Sequence, residues 1–518
     1  MHILGLAASN LTQGHRFEAT KHPLTIENAD SYATQLESEG AVIASFEKRR
    51  AEITHQLEAA ATKEDLKPIA DDALLDEVTA LVERPNVLVG QFEESFLEVP
   101  QECLILTMKA NQKYFPLLDA KGKLTNKFLI VSNISPADPS AVIGGNERVV
   151  RPRLADAKFF FDQDRKKPLE SRVLGLAKVV YHNKLGTQGE RVQRVCAIAR
   201  AIGQQLGGEV LAQQADQAAL LAKADLLTDM VGEFPELQGI MGRYYAQHDG
   251  LPDGIAFAIE DHYKPRFAGD ELPRNSVGIC VALADKLETL VGMFGIGQIP
   301  TGDKDPFALR RHALGIMRIL IENNLPLKQF DLVNSAFEAF PPGLIGNAST
   351  DIEMFLTERL GSLLREQGYS TNEVDAVLSI NSNSINIVPK QLRAVRSFTE
   401  LPEAESLAAA NKRVGNILKK VEGEVNGRVD PALFVEAAEI ALHQALIVVQ
   451  PQAHAAFEQG DYTASLKSLA ALKAPVDAFF DNVMVNAEDL TLRANRLALL
   501  AQLHQAMNRV ADISKLAT

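Results

Sequence analysis

The stretch from Gly144 to Arg172, GGNERVVRPRLADAKFFFDQDRKKPLESR, constrains the fold more than any other. Its spacing predicts one helix. Pro152 fits a first helical turn, where its missing N–H costs nothing. Leu154, Ala157 and Phe161 recur at helical spacing and should face a core. Arg165, Lys166 and Lys167 would close the helix, where cations suit the macrodipole, and Pro168 should end it. The functional reading is a basic strut touching phosphates between two domains, through Arg151, Arg153, Lys158, Arg165, Lys166 and Lys167. The blander reading is a charged connecting helix, paired internally with Asp156, Asp162 and Asp164.

A chain of 518 residues, 46% of them hydrophobic, should form several domains with real cores. Its net charge of −14 excludes a generally basic RNA binder, so any nucleic-acid contact must come from local patches. Cys103, Cys196 and Cys280 stand in apolar contexts and read as buried thiols of a reducing, cytoplasmic protein. No apolar run reaches membrane length.

Along the chain, Ile3 to Leu6 reads as a strand. Asp30 or Ser31 can cap a helix, after which Ile43, Phe46, Arg50, Ile53 and Leu57 step at helical spacing. Ala73 to Glu83 gives a second helix, and the two should pair. Val87 to Phe92, Tyr114 to Leu118 and Phe128 to Val131 read as strands, the last two joined by a turn with Asp119 and Gly122. Pro100 starts a helix between them. Further on, Val173 to Lys184, Val192 to Leu206, Ala215 to Val231 and Val277 to Met293 read as helices, the third of them central because it is apolar nearly all round. Asp305-Pro306 should cap and start a helix with Phe307, Leu314, Met317 and Ile321 inward. Its Arg310, Arg311 and Arg318 are offset from that stripe, as phosphate contacts or as a solvated face. Residues 381–389 look like a joint. From Leu407 the chain is nearly all helix: Asp430-Pro431 starts a long one that Pro451 interrupts, and Leu490 to Val510 closes the bundle.

Several strings resemble, in order, the β-subunit family of the bacterial heterotetrameric glycyl-tRNA synthetase: MKANQKYFPL from Met108, KFLIVSNI from Lys127, NERVVRPRLADAKFFFDQDRKK, KPRFAGD from Lys264, FGIGQIPTGDKDPFALRR from Phe294 and AANKRVGNIL from Ala409. The family protein is longer, so this chain looks N-terminally truncated. The resemblance implies a multidomain, predominantly α protein. Residues 1–150 would be part of an α+β region similar to B3/B4 domains, with a helical hairpin, and 151–170 the basic connecting helix. Residues 171–325 would form an all-α HD-like domain, 326–400 linker helices, and 401–518 an α-helical anticodon-binding bundle of the DALR type.

In the HD-like pattern His182 and Asp285 match the first and last metal ligands, but the middle pair reads Ala224-Asp225. With that histidine missing, His182, Asp225 and Asp285 make a poor metal site, and no metal is expected. The DALR-like strings make Lys412, Arg413, Asn416, Arg493 and Arg496 candidates near an anticodon, because RNA loops are read by stacking and base-edge hydrogen bonds from a rigid frame. No nucleotide-binding motif or catalytic constellation is evident. The resemblance itself implies that ATP, with magnesium, and glycine belong to a separate α subunit in an α2β2 complex, and the omission agrees with it. This chain would bind tRNA(Gly) by anticodon and acceptor arm, with no membrane or DNA partner. The alternatives are an HD-type phosphohydrolase and a noncatalytic RNA-binding scaffold.

Overall fold

The computed structural model describes residues 2–380, 383–421 and 428–517. They form two units: Met1–Arg172 with Ala224–Gly250, and Val173–Lys223 with Leu251–Thr518. The stretch 224–250, read from sequence inside the central helical domain, thus groups with the N-terminal part.

In the first unit, β1 (Lys67–Pro68), β2 (Asn86–Gln91), β3 (Phe115–Leu118) and β4 (Leu124–Ser132) make an antiparallel sheet in the order β1-β3-β4-β2. Asp119 shapes the β3–β4 turn by accepting N–H bonds from Lys121 and Lys123. Gly90 faces Phe128 across the ladder, and a Cβ there would come within 2.7 Å of the ring. Two helices cover the sheet: α1 (Phe46–Lys63), capped by Ser45, and α2 (Asp72–Leu81), capped by Asp71. Ile53, Leu57 and Ala61 of α1 meet Leu74, Leu75 and Val78 of α2 over Phe115, Leu117 and Leu129. Arg50, the charge in the α1 seam, reaches Asp72 and Asp76 of α2. The helix expected to begin at Asp30 or Ser31 is instead a separate short one, Tyr32–Ser38, because the chain turns before Ser45 restarts. Likewise Ile3 to Leu6 is no single strand: His2–Ile3 folds back on Leu6–Ala7 through Leu4 and Gly5, both at positive φ.

After α3 (Gln101–Gln112) comes α4 (Ser140–Asp164), which corrects the reading of Pro152. The proline lies inside the helix rather than at its first turn. Buried Val150 before it and Leu154, Ala157 and Phe161 after it dock one continuous face, and that packing offsets the lost backbone bond. At the end of α4 the buried Asp164 carboxylate accepts N–H bonds from Asp229 and Met230 and an O–H bond from Tyr245, at 2.8–3.0 Å. That clasp ties 224–250 into the unit.

In the second unit the helix expected over Val173 to Lys184 is a 3-10 segment, Leu169–Lys178, followed by a strand, Val180–His182. Gly175 weakens a helix there, and the β-branched pair Val179-Val180 favours extended chain. Next, α5 (Gln188–Leu221) starts with a Thr187–Glu190 capping box and kinks at Gly207-Gly208. It ends ten residues short of the expected Val231. The central element is instead α6 (Ser276–Gly295), buried from Val277 to Phe294. α7 (Leu309–Glu322) begins later than Asp305-Pro306, with Asp305 reaching forward to accept N–H bonds from Leu309 and Arg310. Its buried stripe therefore rotates to Leu309, Ala313, Ile316, Met317 and Leu320, with Phe307, Leu314 and Ile321 only half-buried.

The joint read at 381–389 begins with two residues outside the described ones, and a short turn, Ile385–Ile387, then leads into the helix Val388–Thr399. The C-terminal bundle holds α8 (Ala404–Lys419), α9 (Ala437–Glu458) and α10 (Leu490–Met507). Pro431 opens only a 3-10 turn, Pro431–Leu433, and α9 runs straight through Pro451. Leu442, Leu446, Val449 and Ala453 bury one side of α9 across that position, so packing again overrides the proline. Among the described residues no helix is long and apolar enough to cross a membrane.

Candidate nucleic-acid interface

The inner face of α8 is fixed by buried Leu407, Ala408 and Val414, and by Asn411, whose amide exchanges hydrogen bonds of 2.8 and 3.1 Å with Asn508 beyond α10. Helical spacing then turns Lys412, Arg413 and Asn416 outward, and none of the three is buried. With Lys420, Asn486 and Arg493 they line a groove of about 490 Å³. The groove's polar lining is four cations and two amides, with no carboxylate among the described residues. Arg413 lies 4.2 Å over the Phe480 ring, which holds the guanidinium while leaving its edge free to donate. A second cavity of about 480 Å³ shares Lys412 and Asn416 and adds Lys419, His504, Asp512 and Lys515. Partial burial lowers the pKa of His504, so its ring is neutral and offers both a donor and an acceptor.

Four of the five C-terminal candidates are thus brought together, and the fifth is not. Arg496 is buried, pairing with Glu439 at 2.7 and 3.3 Å and donating to the Met484 carbonyl at 2.7 Å. Burial alone would raise the Glu439 pKa, but Arg496 and the backbone N–H groups of Glu436 and Val435 outweigh it and hold the carboxylate ionised. Arg496 is part of the bundle's interior and is corrected from contact residue to structural one.

The other candidates are mostly engaged. On α4, Arg151 pairs with Glu93 at 2.6 Å, Lys158 with Glu98 and Asp162 at 2.8 and 3.3 Å, and Arg165 with Asp162 at 2.6 Å. Lys166 donates to Gln163, while Arg153 and Lys167 are exposed. Of the internal partners expected, Asp162 pairs with Lys158 and Arg165, and Asp164 meets Arg172 at 3.4 Å while serving the clasp, whereas Glu93 and Glu98 lie outside the helix. In the second unit Arg310 donates to the Gly302 carbonyl, Arg318 pairs with Glu322 at 2.7 Å, and Arg311 is exposed.

The metal-type remnants each have protein partners of their own. Asp285 on α6 is buried against Arg191 at 3.0 Å and Lys223 at 3.3 Å, and Glu288 lies between Arg191 and Arg194, both at 2.8 Å. Burial opposes the Asp285 charge, but Arg191, Lys223 and Lys286 keep it ionised. Burial also pushes Lys286 down to about 8. His182 sits in its short strand, its Nδ1 accepting the Lys184 N–H. Asp225 belongs to the first unit, where its carboxylate accepts N–H bonds from Gly239 and Gly242. Among the described residues no group of three His, Cys, Asp or Glu side chains is arranged to hold a metal ion. The Arg191–Arg194 network escaped the sequence reading, though its three-residue spacing beside the capping box was visible.

Comparison with known proteins adds to this geometry. A family model described as glycyl-tRNA synthetase beta subunit matches residues 1–379, and one described as DALR anticodon binding domain matches residues 407–515, the segment that forms the basic groove. Proteins named glycine–tRNA ligase beta subunit are similar over 99% of the chain. The one from Thiobacillus denitrificans is 76% identical over 515 residues, covering 74% of that protein. Those from Dechloromonas aromatica and a Janthinobacterium species are each 71% identical, with 73% of each covered.

Proposed function

The chain belongs to the glycyl-tRNA synthetase β-subunit family, and from that premise we propose that it holds tRNA(Gly) in the cytosol while a companion α subunit attaches glycine. The observation that carries this reading is the basic groove of Lys412, Arg413, Asn416, Lys420, Asn486 and Arg493 inside the DALR-type bundle. Its cations suit the phosphates of a loop, and its two amides can read base edges. The Arg413–Phe480 pair offers a flat face on which an unstacked base can lie. Activation of glycine with ATP and magnesium falls to the α subunit, in an α2β2 assembly. This chain contributes by positioning, since fixing an RNA at a point remote from the chemistry holds its reactive end in place.

The HD-like and B3/B4-like domains belong to the same proposal. Support for a noncatalytic HD-like domain comes from Asp285, whose charge is met by Arg191 and Lys223. The test is a titration with tRNA(Gly) at several salt concentrations. Binding that weakens steeply with salt is expected, and replacing Arg413 or Arg493 by Ala should lower the slope by about one each. Salt-independent binding, or none at any salt, would remove the groove from the account.

A further inference from the structure

The second cavity, beside the basic groove, holds groups that phosphate binding alone does not require. Lys412, Lys419 and Lys515 are exposed around it, and it shares Lys412 and Asn416 with the groove. Between these cations stand His504, on α10, and Asp512, which opens the short turn Ile513–Leu516. A carboxylate on a phosphate-binding surface weakens binding unless the ligand donates to it. Oδ1 of Asp512 accepts from the N–H and the hydroxyl of Ser514, at 3.1 and 2.6 Å, and so caps the turn. Oδ2 has no protein partner among the described residues, and no lysine or arginine pairs with it there. Neither ring nitrogen of His504 is hydrogen-bonded to the protein among them. Burial and Lys419 hold the imidazole neutral against the pull of Asp512, so one nitrogen donates and the other accepts.

Gly415 is an independent sign that this imidazole is kept open. It lies inside α8, where glycine is less favourable than alanine. A Cβ there would stand 3.4 Å from Nε2 of His504, so alanine would fit but would cover the nitrogen. The charges choose the occupant. An acidic peptide would suit the three lysines but set its carboxylates against Asp512. A basic one would suit Asp512 but face the lysines. A nucleotide brings phosphate to the lysines and the neutral donors and acceptors of a base edge to Asp512 and His504. Continuity with the groove through Lys412 and Asn416 makes it part of the same RNA strand.

We propose that this cavity takes one unpaired base of the bound RNA, a base with an exocyclic amine, with Asp512 accepting from the amine and His504 bonded to the neighbouring ring position. This rests on reading the groove as an RNA site and names the residues that set its specificity. The test measures binding of the whole chain to tRNA(Gly) transcripts in which each unpaired, amine-bearing base is replaced in turn: cytosine by uracil, adenine or guanine by hypoxanthine. One position should cost the unaltered chain about ten-fold and Asp512→Asn less than about two-fold. Asparagine keeps an acceptor for Ser514, so the turn stays capped. His504→Phe should flatten the response at the same position. So should Gly415→Ala, while melting no earlier than the unaltered chain. No position with such a cost, or a cost that Asp512→Asn leaves unchanged, overturns the proposal; so does flattening at different positions by Asp512→Asn and His504→Phe. Failure of the unaltered chain to bind tRNA(Gly) at low salt overturns the RNA reading of the groove instead. Binding of free cytidine or adenosine monophosphate that Asp512→Asn abolishes, with discrimination among transcripts intact, overturns the proposal in favour of a separate nucleotide site.

Discussion

Two arginines of the terminal bundle that look alike in sequence differ in what surrounds them. Arg496 is enclosed with Glu439, so Arg496→Ala leaves a buried carboxylate without its cation. Chemical denaturation should register a loss of roughly 3–5 kcal/mol. Arg413→Ala removes an exposed guanidinium, so stability should move by less than about 1 kcal/mol. Aminoacylation by the complex should nonetheless fall, with glycine-dependent ATP–pyrophosphate exchange unchanged; equal loss of both activities would contradict the division of labour. Sequence alone marked both arginines because helical period shows which side a residue takes only after the helix's neighbours are known. The same blindness covered His262, which is wholly buried, donates to the Ile259 carbonyl at 2.6 Å and has no hydrogen-bond partner at Nε2 among the described residues. Burial and nearby Lys223 hold its pKa well below the usual value, so it is neutral when folded. The unfolded chain takes up a proton below about pH 6.5 that the folded chain refuses. Its contribution is therefore full above that pH and lost as pH falls, by up to about 1.4 kcal/mol per unit. Urea unfolding from pH 7.5 to 5 should show a shallower slope for His262→Gln; an identical slope would mean the imidazole is charged in the native state.

Among elements, existence was easier to read than extent. Strands β2, β3 and β4 and helices α1, α2 and α6 follow their hydrophobic periods, since each is decided by a local pattern, whereas the two-residue β1, Lys67–Pro68, has none and went unread. The errors cluster at punctuation. Pro152 and Pro451 read as boundaries yet lie inside helices, because buried side chains on both flanks of each proline hold the axis together. Conversely Asp305 caps from a distance, and Gly207-Gly208 breaks what hydrogen bonding joins. Gly208 has φ +69° and ψ −163°, a region closed to side chains, although a Cβ there would meet no described atom within 4 Å. Gly208→Ala should thus cost about 1–3 kcal/mol through backbone strain alone. A thermal melt unchanged from that of the unaltered chain would show that the kink relaxes freely.

For the molecule as a whole, composition spoke against RNA and geometry speaks for it: a chain of net charge −14 gathers four cations around one groove. Summed charge hides this, because acidic residues beside α4 and α7 neutralise many of the cations there. The family strings found the bundle, but only the fold separated the arginines at the groove from the arginine inside it. A different consequence follows from the clasp at Asp164. Its donors, at 229, 230 and 245, are translated well after the α4 helix they secure, with the whole of α5 made in between. On a ribosome the Asp164 carboxylate therefore emerges with Arg172 close behind it but about eighty residues ahead of Tyr245, the last of its donors. Order of synthesis and order of closure are decoupled here, since a helix finished at Asp164 waits on donors made only after α5.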